Sequence, residues 1–176
     1  MAELILYACP VGPLADAIEA YWGEVVTSIG PNAAHDYMPH VTLTGFFDDV
    51  PEAIHGHVEA MRTVLQDDPP PADAVVVTGA LYQTDFHLLT VESTWCRSVA
   101  RRLHETSALV RLKDRLHVSL AYGFPLADGA TLARLGRAMV DPTLPAVWDL
   151  RFYERLPAGG WLLHGAWPLQ SLDGSE

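Results

Sequence analysis

The sequence predicts an α+β protein built as two similar, interleaved lobes around a central cleft. Strand-like and helix-like segments alternate, they follow the same order twice, and each half contains one copy of a four-residue motif. The copies are His40-Val41-Thr42-Leu43 and His117-Val118-Ser119-Leu120. With 176 residues, 49% of them hydrophobic, residues 1–176 fit one domain with a pseudo-twofold axis, two antiparallel-rich sheets around the cleft and helices outside.

The first half of the chain predicts the order strand, helix, motif strand, helix, strand. A short apolar run at the start is ended by Pro10 and Gly12, which is typical of a buried strand. Apolar residues at helical spacing follow it, and a proline-rich turn over 67–72 ends the second helix. The predicted elements are a strand over 4–9, a helix over 14–28, the motif strand over 40–47, a helix over 52–65 and a strand over 75–81.

The second half repeats this order and adds a closing hairpin. Ser93 and Asp128 are each followed by a helical pattern, so both are candidate N-cap residues. A turn at Gly159-Gly160 separates the last two strands. The predicted elements are a strand over 86–92, a helix over 94–109, the second motif strand over 116–123, a helix ending near 139, and strands over 147–155 and 160–167.

Each motif places one imidazole and one hydroxyl on the same face of its strand. Side chains alternate along a strand, so His40 and Thr42 share one face, and His117 and Ser119 do the same. The apolar residues between them face a core. If the two motif strands lie side by side, two imidazoles and two hydroxyls surround a small space that suits a phosphoryl group.

Such a set of groups can open a strained 2′,3′-cyclic phosphate without a metal ion. A base must deprotonate the attacking water and an acid must protonate the departing ribose oxygen, and a histidine of ordinary pKa, about 6.5, can do either near neutral pH. The hydroxyls can donate hydrogen bonds to the non-bridging oxygens. We assign His117 as the base and His40 as the acid, although the near symmetry of the motifs leaves the opposite assignment open.

Other histidines match this pattern less well. A lone histidine in a strand is more often structural than catalytic, and it is the pairing of two motifs that favours catalysis. His104 has Thr106 two positions later, but both lie in a predicted helix, where positions two apart do not share a face. His55 and His57 diverge on a helix for the same reason, so metal binding is unexpected. Phe46 shares the alternation of His40 and could border the site and stack on a base, or pack in the core.

Charge and composition restrict the partners. The net charge of −11 argues against a large RNA, which would require a broad positive surface. Six cations nevertheless precede the second motif, either as a solvated face or as a patch for a small anion: Arg97, Arg101, Arg102, Arg111, Lys113 and Arg115. No apolar run reaches membrane-spanning length, and the first residues lack the basic region of a signal peptide, so we expect a cytoplasmic protein that does not bind membranes.

With these residues the chain resembles the 2H phosphoesterase superfamily, which is named for two His-x-Ser/Thr-x motifs. Pro39 to Leu43 and His117 to Gly123 are most similar to its cyclic phosphodiesterase branch, which opens cyclic phosphates on nucleotides or ADP-ribose. The resemblance implies that the two motif histidines and the two motif hydroxyls form the catalytic quartet. It further implies that Tyr122 is an aromatic substrate contact. Gly45-Phe46-Phe47 departs from the Phe-Leu-Gly of the RNA 2′-phosphodiesterase and ligase-like branch.

Three functional hypotheses follow. The first is a cofactor-free, monomeric phosphodiesterase that hydrolyses nucleoside 2′,3′-cyclic phosphate or ADP-ribose 1″,2″-cyclic phosphate. The second is cleavage of a 2′-5′ or 3′-5′ linkage in a short oligonucleotide or cyclic dinucleotide, for which the cations over 97–115 would supply a basic cleft. The third is a module that binds nucleotides or short RNA ends without turnover. The loop over 30–38 is a candidate lid in each case.

Overall fold

The computed structural model describes residues 1–107 and 109–169, and it confirms the α+β class. None of the helices in these two ranges combines the length and the hydrophobicity that a membrane span requires. The α-helices are α1 (Pro13–Ser28), α2 (Ile54–Asp67), α3 (Thr94–Thr106) and α4 (Gly129–Met139). The strands are β1 (Ala2–Val11), β2 (Val41–Thr42), β3 (Phe47–Asp49), β4 (Val76–Tyr82), β5 (Phe86–Glu92), β6 (His117–Tyr122), β7 (Val147–Arg155) and β8 (Trp161–Pro168).

The strands form one antiparallel sheet whose order is symmetric about its centre. The order is β4-β5-β6-β2-β1-β7-β8, and β3 pairs with β1 beside β2. The element order β1-α1-β2-α2-β4 thus recurs as β5-α3-β6-α4-β7. In each repeat the last strand pairs with the first strand of the other repeat, so that β4 lies on β5 and β7 lies on β1. This exchange interleaves the two halves and places the two motif strands next to each other at the centre.

The two faces of the sheet have different neighbours. One face of β1 carries Leu4 and Leu6, which belong to a large core with apolar residues from all four α-helices. The other face carries Ile5, Tyr7 and Cys9, which pack in a small, mostly aromatic cluster. Helices therefore cover the outer face of the sheet, and the opposite face is left to form the cleft.

The two expected sheets are joined into one. The contact between β2 and β6 that joins them is short, with Val41 opposite Val118 as its paired residues. Each half of the sheet therefore keeps its own set of strands, and the cleft lies over the junction between them.

Three local predictions were wrong. The first motif strand does not run over 40–47 but breaks after Thr42 and resumes as β3. The third α-helix ends at Thr106, because Ser107 is extended; residue 108, inside the predicted helix, lies outside the described residues. The side chain of Asp128 makes no capping hydrogen bond, because a 3₁₀ turn continues through it directly into α4. Ser93, in contrast, caps α3 as predicted, since its side chain accepts a hydrogen bond from Cys96 N at 2.8 Å.

Candidate active site

The central strand pair brings the four motif side chains together. Because Val41 lies opposite Val118 in an antiparallel pair, continuing the register places His40 across from Ser119 and Thr42 across from His117. Side chains directly across an antiparallel pair are about 5 Å apart at Cβ, and diagonal neighbours are about 7–8 Å apart. The imidazoles thus occupy a diagonal, each beside the hydroxyl of the other strand. All four side chains line one cleft of about 780 Å³.

A bend after Thr42 separates the site from the core. The backbone N–H groups of Leu43 and Thr44 both donate to Leu6 O, which ends the regular ladder. Thr44 would share a face with Thr42 in a continuous strand, but it is completely buried, and its Oγ1 accepts a hydrogen bond from Leu6 N at 3.0 Å. The bend therefore turns one threonine into a structural residue and leaves the other in the cleft.

His40 is held between a carbonyl group and aromatic rings. Its Nδ1 lies 2.7 Å from Met38 O. A carbonyl oxygen can only accept, so Nδ1 carries the proton and Nε2 is the nitrogen available to a ligand. The ring centroid lies 4.0 Å from that of Tyr7 and 5.4 Å from that of Tyr37. Burial, reinforced by the nearby His117, lowers the pKa of His40 to about 4.

His117 has a related but more open environment. A hydrogen bond with the backbone of Arg115, two residues earlier, corresponds to the bond between His40 and Met38. Partial burial and the charge of Lys113 lower the pKa of His117, against the opposing effect of that hydrogen bond. The two motifs thus orient their imidazoles in the same way, each through the backbone two positions before the histidine.

The predicted substrate contacts also line the cleft. Phe46 and Tyr122 are both half-buried there. The ring of Phe46 stacks on Trp161 with a centroid distance of 6.1 Å, and the guanidinium carbon of Arg155 lies 4.4 Å from its centroid. The candidate lid over 30–38 contains a 3₁₀ turn, Ala33–Asp36, and contributes several lining residues.

Phe46 belongs to an aromatic wall beside His40 whose other three members the sequence did not predict as site residues. The wall consists of Tyr7, Tyr37, Phe46 and Trp161, and the ring of Trp161 contacts the other three at centroid distances of 5.4 to 6.1 Å. Tyr7 could have been found from alternation, since it faces the same side of β1 as Ile5 and Cys9 and lies opposite Thr42. Tyr37 and Trp161 come from a loop and a distant strand, and no local pattern identifies them.

Of the other histidines, His87 lines the same cleft as the quartet, whereas His57 and His104 do not. His104 makes a hydrogen bond through Nδ1 with Val110 O, as befits a structural residue in α3. His57 pairs with Asp49 at 2.8 Å. His87 is buried between the rings of Tyr82 and Phe124. Within the described ranges, no group of three or more histidine, cysteine or acidic side chains is arranged to hold a metal ion.

The chain is similar in sequence to part of several larger proteins, although no model of a known protein family matches it. It is 28% identical to an ecdysteroid-phosphate phosphatase from Drosophila melanogaster over 88% of this chain and 26% of that protein. A Bombyx mori protein of the same name is 26% identical over 88% of this chain and 25% of that protein. Ubiquitin-associated and SH3 domain-containing protein A from Mus musculus is 25% identical over 87% of this chain and 26% of that protein. The chain spans about a quarter of the length of these curated relatives.

A solved phosphoesterase has the same fold. The two structures superimpose with a TM-score of 0.55 over 97% of this chain and 99% of the other, at 14% sequence identity. The two proteins therefore share a fold. Two of the sequence relatives are named as phosphatases.

Proposed function

We propose that the protein is a metal-independent phosphodiesterase that hydrolyses small cyclic phosphates to phosphomonoesters. The observation that carries this proposal is the diagonal arrangement of His40 and His117, each facing a hydroxyl across the β2–β6 pair, on the floor of one cleft. A phosphoryl group bound over the β2–β6 pair would have His40 on one side and His117 on the other. The two hydroxyls would be available to its non-bridging oxygens. The likeness to the cyclic phosphodiesterase branch supports the same reaction.

The reaction requires one proton to be removed and one to be supplied. Water attacks phosphorus while one neutral imidazole takes its proton, and the bond from phosphorus to one ribose oxygen breaks as the other imidazole protonates that oxygen. Thr42 and Ser119 donate to the oxygens that gain charge in the transition state. The product is a phosphomonoester with a free neighbouring hydroxyl, and the two imidazoles have exchanged their protonation states.

Burial favours His40 as the base and His117 as the acid, the reverse of the assignment made from the sequence. At neutral pH a group whose pKa is about 4 is neutral and can accept a proton. His117 is less buried than His40, so an incoming phosphate anion can stabilise its protonated form there. The stronger effect of burial on the pKa of His40 supports this division of roles.

The aromatic wall supports a substrate that carries a nucleobase. Stacking of a base on an aromatic side chain contributes about 1–3 kcal/mol. Tyr37 lies beside His40 and Phe46 lines the same cleft, so a base could stack there while its ribose phosphate occupies the quartet. Nucleoside 2′,3′-cyclic phosphate and ADP-ribose 1″,2″-cyclic phosphate both meet this description.

The name of the insect relatives suggests a second substrate class, the steroid phosphate monoester. Those proteins are about four times as long as the segment that matches, so their activity need not reside in the part that resembles this chain. The cleft itself is lined by several apolar side chains, including Ile5, Leu81 and Leu88, which would tolerate a steroid. An ecdysteroid phosphate therefore belongs among the compounds to be tested.

Phosphorus NMR tests the proposal. The purified protein, with EDTA present, is incubated separately with 2′,3′-cyclic AMP, ADP-ribose 1″,2″-cyclic phosphate and an ecdysteroid phosphate. We expect one cyclic phosphate resonance to be replaced by that of a single monoester, whose position identifies the bond that breaks. Release of inorganic phosphate from the steroid ester alone, or turnover that EDTA abolishes, would overturn the proposal.

A further inference from the structure

The two edges of the cleft have opposite chemistry. The edge beside His40 is aromatic, as described above. The edge beside His117 is formed by the end of α3 nearest the sheet and by the segment over 111–116, and it carries Arg97, Lys113 and Arg115. A ligand whose phosphoryl group lies over the quartet would therefore meet rings in one direction and cations in the other.

This cationic edge lies in a chain that is acidic overall. The protein has 22 acidic and 11 basic residues, and the basic residues in ion pairs of the described ranges are Arg62, Arg102, Arg151 and Arg155. In the ranges 1–107 and 109–169, the ion pairs involve neither Lys113 nor Arg115. Two acidic residues, Asp114 and Glu92, also line this edge. With three cations and two anions, the edge has a net charge of +1.

The cationic segment is fixed to α3 and to the residues that follow the first motif. The guanidinium group of Arg97 donates to Asp114 O at 2.5 Å, which ties the segment to α3. On the other side, Gly45 N donates to Arg111 O at 2.6 Å, and Arg111 donates to Phe46 O at 2.9 Å. The backbone that carries Lys113 and Arg115 is thus held at both ends before any ligand arrives, which reduces the entropy lost on binding.

We propose that Lys113 and Arg115 form a second anion subsite, which binds a phosphate of the substrate other than the reacting one. Arg97 positions this subsite by holding the segment in place. Preferred substrates would then carry a further phosphate on the ribose that bears the reacting group, either as a terminal 5′-phosphate or as an internucleotide diester. The inference rests on the proposed function in one respect, namely that the reacting phosphoryl group occupies the quartet.

Calorimetric binding to the wild-type protein tests the subsite without requiring turnover. The ligands are adenosine 3′-monophosphate, adenosine 3′,5′-bisphosphate and a diadenosine nucleotide that ends in a 3′-phosphate. Contacts to exposed cations of this kind are worth about five- to tenfold in affinity, so we expect at least one of the latter two ligands to bind about that much more tightly than the monophosphate. A gain for the bisphosphate alone identifies a terminal phosphate, and a gain for the dinucleotide identifies an internal diester.

Charge-removing variants show whether the gain arises at this edge. Lys113→Ala and Arg115→Ala should each lose most of it, and 1 M salt should suppress it by screening. Arg134→Ala, which removes an exposed charge from α4 on the helical face, is the matched control and should retain it. Equal affinities for the three ligands in the wild-type protein would overturn the inference. A gain in affinity that survives when Lys113→Ala and Arg115→Ala are combined in one protein would also overturn it. If the wild-type protein shows the gain in affinity but hydrolyses no cyclic phosphate, the subsite is supported and the proposed function is refuted.

Discussion

Two threonines on opposite sides of the bend should respond differently to the same substitution. Thr42 and Thr44 are separated by one residue, yet the first lines the cleft and the second is completely buried. Replacing each by valine preserves the shape and β-branching of the side chain and removes only the hydroxyl group. Any difference between the two variants must therefore come from what each hydroxyl does.

The expected magnitudes follow from the hydrogen bonds. Thr44→Val leaves the buried Leu6 N–H without the acceptor that lies 3.0 Å away, and an unpaired buried donor costs about 1–3 kcal/mol. For a chain of this length each kcal/mol lowers the melting temperature by about 2–4 °C. Thr42→Val should leave the melting temperature almost unchanged. Under the proposed mechanism it removes one transition-state donor and lowers kcat by about 10²-fold.

Thermal unfolding and steady-state kinetics with 2′,3′-cyclic AMP measure the two effects in parallel. We expect the two effects to separate: Thr44→Val should be less stable but active, and Thr42→Val should be stable but nearly inactive. This expectation would be refuted if Thr44→Val melted at the wild-type temperature, because the hydrogen bond would then contribute nothing. It would also be refuted if Thr42→Val retained full activity.

Two further predictions concern the pH dependence of stability and the aromatic wall. The folded pKa of His40, about 4, lies below the value of about 6.5 in an unfolded chain, so the unfolded state binds more protons between these values. The free energy of unfolding should therefore fall by up to about 3 kcal/mol as the pH drops from about 6.5 to 4. In urea titrations at several pH values, His40→Gln should show a weaker pH dependence of this free energy than the wild type. An unchanged pH dependence in the variant would contradict the lowered pKa of His40. Phe46→Leu should weaken nucleotide binding about tenfold, measured by calorimetry, with little change in melting temperature. The neighbouring Phe47 lies in the core, so Phe47→Leu should lower the melting temperature and leave nucleotide binding unchanged. Equal losses of binding in the two variants would contradict the assignment of Phe46 to the aromatic wall.

The sequence was sufficient for the parts of the site that depend on local alternation. The spacing of His40 and Thr42, and of His117 and Ser119, predicts a shared face from the geometry of a strand alone. The repeated order of elements then predicts that the two motif strands are neighbours, and the structure confirms that they pair at Val41 and Val118.

Other features depend on contacts between residues that are distant in the sequence. The break in the first motif strand arises because Leu6 O accepts from two successive N–H groups, and the sequence around Thr44 gives no sign of this. The aromatic wall joins Tyr7, Tyr37 and Trp161 from two strands and a loop, which the exchange of strands between the halves brings together. The different burial of the two motif histidines is likewise a property of their surroundings, since the motifs themselves are almost identical.

The measurement that tests the two-histidine account most directly is the kcat/KM of single and double histidine variants with 2′,3′-cyclic AMP in EDTA. His40→Gln and His117→Gln should each lose about 10²–10⁴-fold. The double variant should be only slightly worse than either, because the two groups act in one proton-transfer sequence. His55→Gln, at an exposed position on α2, serves as the control and should match the wild type. If either single variant retained more than a tenth of the wild-type kcat/KM, the central claim would be contradicted.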